Sequence, residues 1–216
     1  MPQFQGALPW VLTIVIGYLF GSISFSLVIG KIFEHKDVRE YGSGNAGTTN
    51  VLRTLGFPWA LVTFLGDALK GLIWLLIVKN FIAPMAPEMD VNVLCLLAGL
   101  GAVLGHNYPF ELQFKGGKGI ATSVAIMLGF DWRIGLIGII VFLVVCIPTR
   151  YVSLSSLCFA ASLPITCLIF HPGKWLYLAL ILIFTVSAFY RHKANIVRLM
   201  NGTESKIGQK ATKPNK

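Results

Sequence analysis

Long apolar runs, separated by short polar segments, constrain this chain more than any other feature. Charged residues make up only 12% of its 216 residues and hydrophobic residues 55%, whereas a soluble domain carries about 25% charged residues. Apolar runs of about 20 residues cross a bilayer as helices. The sequence therefore predicts an all-α integral membrane protein, a compact bundle of about seven transmembrane helices. The predicted spans are 9–30, 57–79, 91–106, 118–130, 134–148, 154–170 and 174–190.

The run at 118–130 is short for a membrane span. At about 13 residues it needs tilt or help from its neighbours, because a spanning helix takes about 20 residues. Five or six spans therefore remain an alternative, and merging two runs would move the C-terminus to the other side of the membrane.

The distribution of lysine and arginine favours the seven-span arrangement. When alternate loops are assigned to opposite sides, fourteen of the eighteen basic residues fall on one side and three on the other, while Lys70 lies within a span. Basic residues concentrate in cytoplasmic loops. This predicts an external N-terminus, a cytoplasmic C-terminus and a cytoplasmic location for the main polar segments.

A single polytopic membrane domain is expected over residues 1–204. The N-terminus lacks a basic n-region and a small-residue cleavage site, so the first apolar run is expected to stay as an anchor rather than a signal peptide. Residues 205–216 are polar and basic, and we expect them to form a disordered cytoplasmic tail.

The first polar segment has the composition of an anion-binding site. It reads REYGSGNAGTTNVLRTLG over residues 39–56. Its glycines permit turns in which successive backbone N–H groups form a nest for an anion, and its arginine offers a planar fork for phosphate. A plain polar turn with a basic end is the alternative. The candidate residues are Ser43, Gly44, Asn45, Gly47 and Arg53.

The second polar segment is GHNYPFELQFKGGKGIATS, residues 105–123. Its glycines free the backbone around Lys118, and IATS begins a predicted helix whose N-terminus favours anions. The pattern is not a Walker A motif, because a glycine follows that lysine. The alternative is a membrane-surface turn whose lysines meet anionic lipid. The candidate residues are Gly116, Gly117, Lys118 and Gly119.

Two further segments, TRYVSLSS at 149–156 and YRHKANIVRLMNGTE at 190–204, complete the polar set. His192 and Asn195 are three residues apart and share a helix face. For the last segment, an ordinary basic anchor at the membrane edge is the alternative. The candidate residues are Ser153, Ser156, His192, Asn195 and Glu204, and the run of serines leaves the register among 153, 155 and 156 open.

Three ionisable residues lie within predicted spans or at their ends. Asp67 and Lys70 are three residues apart and can pair, either as a functional pair or as an ion pair that braces the bundle. His106 precedes Glu111 at the spacing of an H-x4-D acyltransferase motif, but the acid is wrong and Pro109 intervenes. We therefore expect His106 to bond locally and shape its loop.

Several chemistries are poorly supported by the residue types present. The sequence contains no H-E-x-x-H, no G-x-S-x-G and no close carboxylate pair, and its cysteines lack metal-ligand spacing. We therefore predict no metal and no cofactor. Cations and backbone dipoles remain, and they suit electrostatic stabilisation of a reaction between anionic substrates.

Three segments, in order, resemble the motifs of bacterial glycerol-3-phosphate acyltransferases that use acyl phosphate as donor. They are GSGNAGTTNVLR, GHNYPFELQFKGGKGIATS and RHKANIVRLMNGTE, and GDALKG and VSLSS extend the resemblance over nearly the whole chain. The resemblance implies transfer of an acyl chain from acyl phosphate to the sn-1 hydroxyl of glycerol 3-phosphate. The products would be lysophosphatidic acid and inorganic phosphate, in the first acylation step of phospholipid synthesis.

The resemblance also implies a location, partners and residue roles. It implies a multi-pass protein of the bacterial cytoplasmic (inner) membrane, with its site at the cytoplasmic face and functional coupling to the enzyme that makes acyl phosphate. Glu204 matches a position tied to structural integrity, and the glycines around Lys118 match a phosphate-holding loop. The residues that match essential positions are Ser43, Arg53, Lys118, His192 and Asn195.

Two other function classes compete with the enzyme. A transporter for phosphorylated metabolites would also use basic cytoplasmic loops and the pair of Asp67 and Lys70, but transporters bind near mid-membrane and often show repeated halves. A non-catalytic scaffold for lipid enzymes would not need Ser43, Arg53 and His192 together.

Overall fold

Helices make up the regular structure of residues 6–209, the part of the chain that the computed structural model describes. Ten α-helices follow the apolar runs and two of the polar segments, and no strand occurs among these residues. The predicted all-α class is confirmed. The helices are α1 (Leu8–Ser22), α2 (Phe25–Phe33), α3 (Thr48–Thr54), α4 (Phe57–Ile77), α5 (Val91–Asn107), α6 (Ile120–Phe130), α7 (Trp132–Thr149), α8 (Val152–Phe170), α9 (Trp175–Arg191) and α10 (Lys193–Met200).

The segments able to cross a membrane agree with the predicted runs in position but not always in length. Helices α9 and α10 form a pair bent by 58°, and α6, with 11 residues, is too short to cross. The architecture is that of an integral membrane bundle, while the count of seven and the orientation of the termini stay predictions. Within residues 6–209, five segments are long and apolar enough: Leu8–Phe33, Phe57–Met85, Val91–Leu112, Trp132–Thr149 and Val152–Phe170.

The first predicted run, 9–30, is not one continuous helix. Ile23 and Ser24 adopt extended conformations between α1 and α2. Such a break frees backbone carbonyls, which find no water inside a membrane. Lys70 Nζ donates a hydrogen bond to the Ile23 carbonyl oxygen at 2.7 Å. The predicted run remains one candidate span, Leu8–Phe33, with a helix break inside it that a charged side chain from α4 satisfies.

Helices α1 and α5 pack against each other through glycines. A Cβ atom at Gly21 would lie 2.0 Å from the Ala102 carbonyl oxygen, and one at Gly105 would lie 2.0 Å from the Tyr18 carbonyl oxygen. Small residues allow this close backbone approach between membrane helices. Helix α5 is the most buried of the spanning segments, and it forms the centre around which α1, α4, α6 and α9 pack.

The polar segments cover one end of the bundle. Residues 38–54 fold over α4 with their own small core, which contains Val38, Ala46 and Val51. Beyond α10 the chain returns across the same end, where Arg53 Nη2 donates to the Ser205 carbonyl at 2.9 Å. Ile207 N donates to the Arg150 carbonyl at 2.9 Å.

The predicted tail, 205–216, is therefore in contact with the bundle over its first residues. The carbonyls of Ser205 and Ile207 accept hydrogen bonds from Arg53 and Arg150, and the boundary of the tail at residue 205 stays a prediction. The remainder, 210–216, lies outside the described residues.

The opposite end of the bundle carries a compact charged cluster. Asp131 caps α7 by accepting from the backbone N–H of Arg133, and it also accepts from the guanidinium of that arginine at 2.6 Å. His171 Nε2 lies 2.9 Å from the same carboxylate. The Arg133 guanidinium lies 4.4 Å from the centre of the Phe170 ring. Each charged group in this cluster has a partner.

Candidate active site

A cavity of about 350 Å³ lies where the polar segments meet the bundle. Its walls come from α3 to α8, from the bend between α9 and α10, and from the polar segments beside them. Segments that are far apart in the sequence contribute its polar side chains. All five residues predicted to be catalytic line it: Ser43, Arg53, Lys118, His192 and Asn195.

The other predicted site residues divide into two groups. Some line the cavity: Asn45, Gly47, Gly119, Ser153, Ser156, Asp67, His106 and Glu204. The rest do not line it: Gly44, Gly116, Gly117 and Lys70.

Glu204 organises the polar end of the cavity. Its carboxylate accepts hydrogen bonds from Ser153 Oγ at 2.9 Å, from Asn195 Nδ2 at 2.7 Å and from Arg198 Nε at 2.7 Å. Burial opposes ionisation, but the three hydrogen bonds prevail and hold the pKa of this carboxyl below its usual range. Glu204 is thus an anchor for other site residues, in keeping with the structural role that the family resemblance implies.

Lys118 reaches the same network through Asn195. The lysine ammonium donates to Asn195 Oδ1, and the amide of that asparagine donates in turn to Glu204. Burial lowers the pKa of Lys118 to about 8; the Glu204 carboxylate opposes the shift and nearby arginines, Arg198 among them, add to it. A desolvated cation therefore faces the cavity, where water competes little for its charge.

Arg53 presents a half-buried guanidinium from α3. One terminal nitrogen donates to the Ser205 carbonyl at 2.9 Å, while Nε is buried and has no hydrogen-bond partner within residues 6–209. Burial lowers the pKa of Arg53, against the attraction of Glu204. An unsatisfied donor beside a cavity is the arrangement that an anionic ligand would complete.

Asn50 fixes the first polar segment, although sequence analysis did not include it among the site residues. Its Oδ1 accepts from Ser43 N at 3.1 Å and lies 3.3 Å from Ser43 Oγ. Its Nδ2 donates to the Val38 carbonyl at 2.7 Å and the Tyr41 carbonyl at 3.1 Å. The asparagine therefore holds Ser43 at the cavity wall. Asn50 is only 2% exposed, and the polar residues around it in the sequence do not predict that it is buried.

The backbone of the KGGKG segment is used differently from the prediction. Gly116 N donates to the Asn107 carbonyl at 3.2 Å and Gly117 N to the His106 carbonyl at 2.9 Å. Their own carbonyls accept from the Arg191 guanidinium at 2.8 Å and 2.9 Å. Both amides that sequence analysis offered to a phosphate are thus already bonded. Arg191, another residue missed as a site component, clamps this loop.

The free amides of this region lie one step further along, at the N-terminus of α6. Gly119 precedes the helix with φ of 76° and no side-chain cap, a conformation that favours glycine. The first-turn residues Ile120 and Ala121 line the cavity. The first N–H groups of a helix lack intrahelical partners and attract anions, so the anion-binding feature belongs to the start of α6.

His192 lies at the bend between α9 and α10. Its Nδ1 is 2.7 Å from the Ala188 carbonyl, which can only accept, so Nδ1 carries a proton. In the neutral ring, Nε2 is then an acceptor. This nitrogen has no protein partner within residues 6–209, and the residue lines the cavity, where a substrate hydroxyl could donate to it.

The structure shows which serines at the start of α8 face the cavity. Ser153 and Ser156 line the cavity. Ser155 is fully buried, and its hydroxyl donates back to the Tyr151 carbonyl. Ser153 is the member tied to the polar network, through Glu204.

Asp67 and Lys70 form the ion pair that their spacing predicts, with 2.9 Å between Oδ1 and Nζ. His106 joins them, because its Nδ1 is 2.9 Å from Lys70 Nζ and 3.5 Å from Asp67 Oδ1. We expected His106 to bond locally, and its backbone carbonyl does accept from Gly117 N. Its ring, however, contacts Lys70 and Asp67 on α4.

The rest of the cavity wall is apolar. Its side chains come from α4, α6, α7 and α8. This combination of a cationic end and a hydrocarbon-like wall suits an amphiphile with an anionic head. The apolar residues are Phe64, Val124, Ile139, Phe142, Leu143 and Val152.

The family model described as Glycerol-3-phosphate acyltransferase matches residues 11–202. A protein named glycerol-3-phosphate acyltransferase from Clostridioides difficile is 45% identical over 201 residues, covering 93% of this chain and 97% of its own length. A protein of the same name from Alkaliphilus metalliredigens is 42% identical over 202 residues, covering 94% and 98%.

Two solved structures resemble the fold. One is described as the crystal structure of PlsY, an integral membrane glycerol 3-phosphate acyltransferase, in its glycerol 3-phosphate form. It has a TM-score of 0.82 at 35% identity and covers 92% of this chain and 96% of its own. The lysophosphatidic acid form has a TM-score of 0.79 at 34% identity, covering 93% and 96%.

Proposed function

The chain belongs to the glycerol-3-phosphate acyltransferase family, and we propose that it transfers an acyl chain from acyl phosphate to the sn-1 hydroxyl of glycerol 3-phosphate. The products are lysophosphatidic acid and inorganic phosphate, in the first acylation step of phospholipid synthesis. One observation carries the proposal: a single cavity joins a cationic, donor-rich end to an apolar wall.

The cationic end suits two phosphate-bearing substrates. Arg53, Lys118 and the N-terminus of α6 supply positive charge and N–H donors. Among the charged groups named at this end, Glu204 alone is negative, and its oxygens already accept from three donors. An anion entering here would meet desolvated donors that are already in position.

The apolar wall suits the acyl chain. Helix α6 has 11 residues and lies between α4 and α7, so it fills only part of the layer in which those helices stand. The acyl tail would lie along side chains such as Phe64 and Leu143 and continue into the bilayer. The phosphate would remain at the polar end.

The reaction we propose is a direct attack. The sn-1 hydroxyl oxygen of glycerol 3-phosphate forms a bond to the acyl carbon, and the bond from that carbon to the phosphate oxygen breaks. Inorganic phosphate leaves with the bonding electrons. The hydroxyl proton passes to a phosphate oxygen, while His192 Nε2, an acceptor in the neutral ring, orients the hydroxyl. Lys118 and Arg53 stabilise the charge on the leaving phosphate.

Ser43 orients substrate in this scheme and is not acylated. Its hydroxyl lies 3.3 Å from Asn50 Oδ1, and no general base among residues 6–209 contacts it. Isolation of a native enzyme acylated at Ser43 during turnover would replace direct attack by a two-step mechanism.

We place the protein in the bacterial cytoplasmic (inner) membrane, with its site at the cytoplasmic face. The excess of basic residues in the loops around the cavity supports this orientation. An acyl phosphate is a reactive anhydride with a long tail, so functional coupling to the enzyme that makes it is part of the proposal.

The test is a donor comparison with purified protein in detergent. Glycerol 3-phosphate is supplied with a long-chain acyl phosphate or the matching acyl-CoA, and phosphate and lysophosphatidic acid are both measured. We expect equal amounts of both products from acyl phosphate alone, with the chain at sn-1, and loss of both in Lys118→Ala. Folded protein that turns over neither donor would favour the transporter, which uptake assays in vesicles would then test.

A further inference from the structure

Asp67, Lys70 and His106 form a buried cluster at the side of the cavity. They are 1%, 4% and 7% exposed, and they belong to α4 and α5, two membrane-spanning segments. Ionisable groups at such positions are costly and are kept for a function or a pairing. The proposed reaction has given these residues no role.

Lys70 Nζ has three polar contacts, which are two hydrogen bonds and one ion pair. Its Nζ contacts the Ile23 carbonyl at 2.7 Å, Asp67 Oδ1 at 2.9 Å and His106 Nδ1 at 2.9 Å. An ammonium group has three donors and no acceptor. The carboxylate of Asp67 balances its charge, which a buried cation requires. The cluster is therefore neutral when the His106 ring is neutral.

This arrangement fixes the tautomer of His106. Because Lys70 donates to Nδ1, that nitrogen is the acceptor, and the single proton of the neutral ring is on Nε2. A proton on Nδ1 would face the Lys70 ammonium at 2.9 Å, and the other nearby acceptor, Asp67 Oδ1, is farther away at 3.5 Å. His106 is therefore unsuited to be a general base at Nε2 and well suited to be a donor there.

The Nε2 donor is available to the cavity. His106 lines the cavity. Its Nε2 has no hydrogen-bond partner within residues 6–209, and it is not one of the fully buried polar atoms, so it is accessible from the cavity. It also lies against the KGGKG segment, because a Cβ atom at Gly117 would be 1.9 Å from it. Glycine at that position thus keeps the imidazole edge uncovered, immediately before Lys118.

We propose that His106 is a further catalytic residue that donates a hydrogen bond from Nε2 to a substrate oxygen, and that Lys70 and Asp67 are positioning residues that fix its tautomer. The inference rests on the proposed acyl transfer. The oxygen is an acceptor of developing or resident negative charge, either on a substrate phosphate or on the acyl carbonyl. A donor held in advance at such an oxygen stabilises the transition state.

Two substitutions separate this role from a structural one. His106→Asn can keep an acceptor for Lys70 at the position of Nδ1 but loses the far donor. His106→Gln can place an amide N–H near Nε2 but loses that acceptor. We expect kcat/KM to fall about 100-fold in His106→Asn, as for loss of one oxyanion-hole donor, at an unchanged Tm. His106→Gln should retain activity within about tenfold of the native enzyme.

The reverse ranking would overturn the proposal. If folded His106→Asn is as active as the native enzyme while His106→Gln is inactive, the histidine serves only as a partner for Lys70. Equal activity in both variants would overturn it as well.

Calorimetry distinguishes the two sources of the oxygen. Glycerol 3-phosphate is titrated into native protein and His106→Asn without donor. Weaker binding with a raised KM assigns the bond to the glycerol 3-phosphate phosphate. Unchanged binding with a lowered kcat assigns it to the acyl phosphate, at its phosphate or its carbonyl. Both outcomes support the donor role, and no change in binding or in kcat overturns it.

Nitrogen NMR tests the tautomer without any turnover. In protein labelled at its histidines, the His106 signals are identified by their loss in His106→Gln. We expect Nδ1 to resonate as an unprotonated nitrogen and Nε2 as a protonated one, and Asp67→Asn/Lys70→Met to abolish that bias. A protonated Nδ1 in native protein would overturn the inference. Since this readout needs no donor, it stands even if acyl transfer from acyl phosphate fails.

Discussion

Two carboxylates, one at each end of the bundle, accept similar sets of hydrogen bonds but differ in the role that we assign to them. Glu204 accepts from Ser153, Asn195 and Arg198, and Asp131 accepts from the backbone and side chain of Arg133 and lies beside His171. The difference lies in what surrounds each carboxylate.

Around Glu204 the cations outnumber the acid. Lys118 bonds only to an amide oxygen, and Arg53 keeps an unpartnered Nε. Around Asp131, one arginine pairs with one carboxylate and packs on Phe170. The first network has donors left for an anionic substrate, and the second is complete. The comparison predicts that substitutions around Glu204 lower the activity, and that substitutions around Asp131 leave it nearly unchanged.

The largest effect is expected from removing the Lys118 ammonium. Lys118→Met should lower kcat/KM by about 100-fold or more, because a desolvated donor at a developing charge is lost. Lys174→Met is the matched control, since that lysine lies at the Asp131 end, over the ring of Tyr177. Steady-state kinetics checks both, and equal losses would show that the two ends do not differ in function.

Loss of the Glu204 charge should come next. Glu204→Gln leaves Arg198 and the neighbouring cations without their buried counter-charge, and the free energy of unfolding should fall by about 3 kcal/mol. Asp131→Asn should lower Tm less, because the Arg133 side chain is 42% exposed and, within residues 6–209, no further lysine or arginine depends on this carboxylate as Lys118 and Arg53 do on Glu204. Thermal unfolding in detergent ranks the two variants. A larger drop for Asp131→Asn would contradict the distinction between the ends.

The lowered pKa of Lys118 predicts a pH dependence. With a pKa of about 8 instead of 10.5, the free enzyme loses this cation as pH rises through 8, and kcat/KM should then fall about tenfold for each further pH unit. The sign for stability is opposite: because folding favours the uncharged amine, this group's contribution rises between pH 8 and 10.5. A pH–rate profile of native protein and Lys118→Arg, in which the inflection should vanish, checks the assignment.

The smallest contrast concerns two serines of α8. Ser153→Ala removes a donor from Glu204 at the cavity wall and should lower kcat/KM several-fold, within the cost of about 1 kcal/mol for one hydrogen bond. Ser155→Ala removes only a bond to the carbonyl of Tyr151, at the start of the same helix, and should stay within about twofold. A greater loss in Ser155→Ala would show that Ser155, and not Ser153, is the functional serine of this segment.

Much of the site could be predicted from sequence because its chemistry depends on residue type. Cations, glycines and amides at the ends of apolar runs pointed to an anion site, and the fold brings all five predicted catalytic residues to one cavity. The apolar runs likewise set the helical bundle, since a membrane leaves few other options.

The rest depended on partners that no local pattern specifies. The break at Ile23 and Ser24 needs Lys70, 47 residues away. The amides of Gly116 and Gly117 bond to the end of α5, and Arg191 binds their carbonyls from α9. Local sequence indicates a flexible backbone in such a segment. It does not indicate which of the backbone groups are already bonded.

An isotope experiment tests the central claim most directly. Acyl phosphate with oxygen-18 in the bridging position is supplied with glycerol 3-phosphate, and the label is followed by mass spectrometry. Attack at the acyl carbon predicts labelled inorganic phosphate and an equal amount of unlabelled lysophosphatidic acid, both lost in Lys118→Met. Label found in fatty acid, or phosphate release that does not depend on glycerol 3-phosphate, would contradict the account.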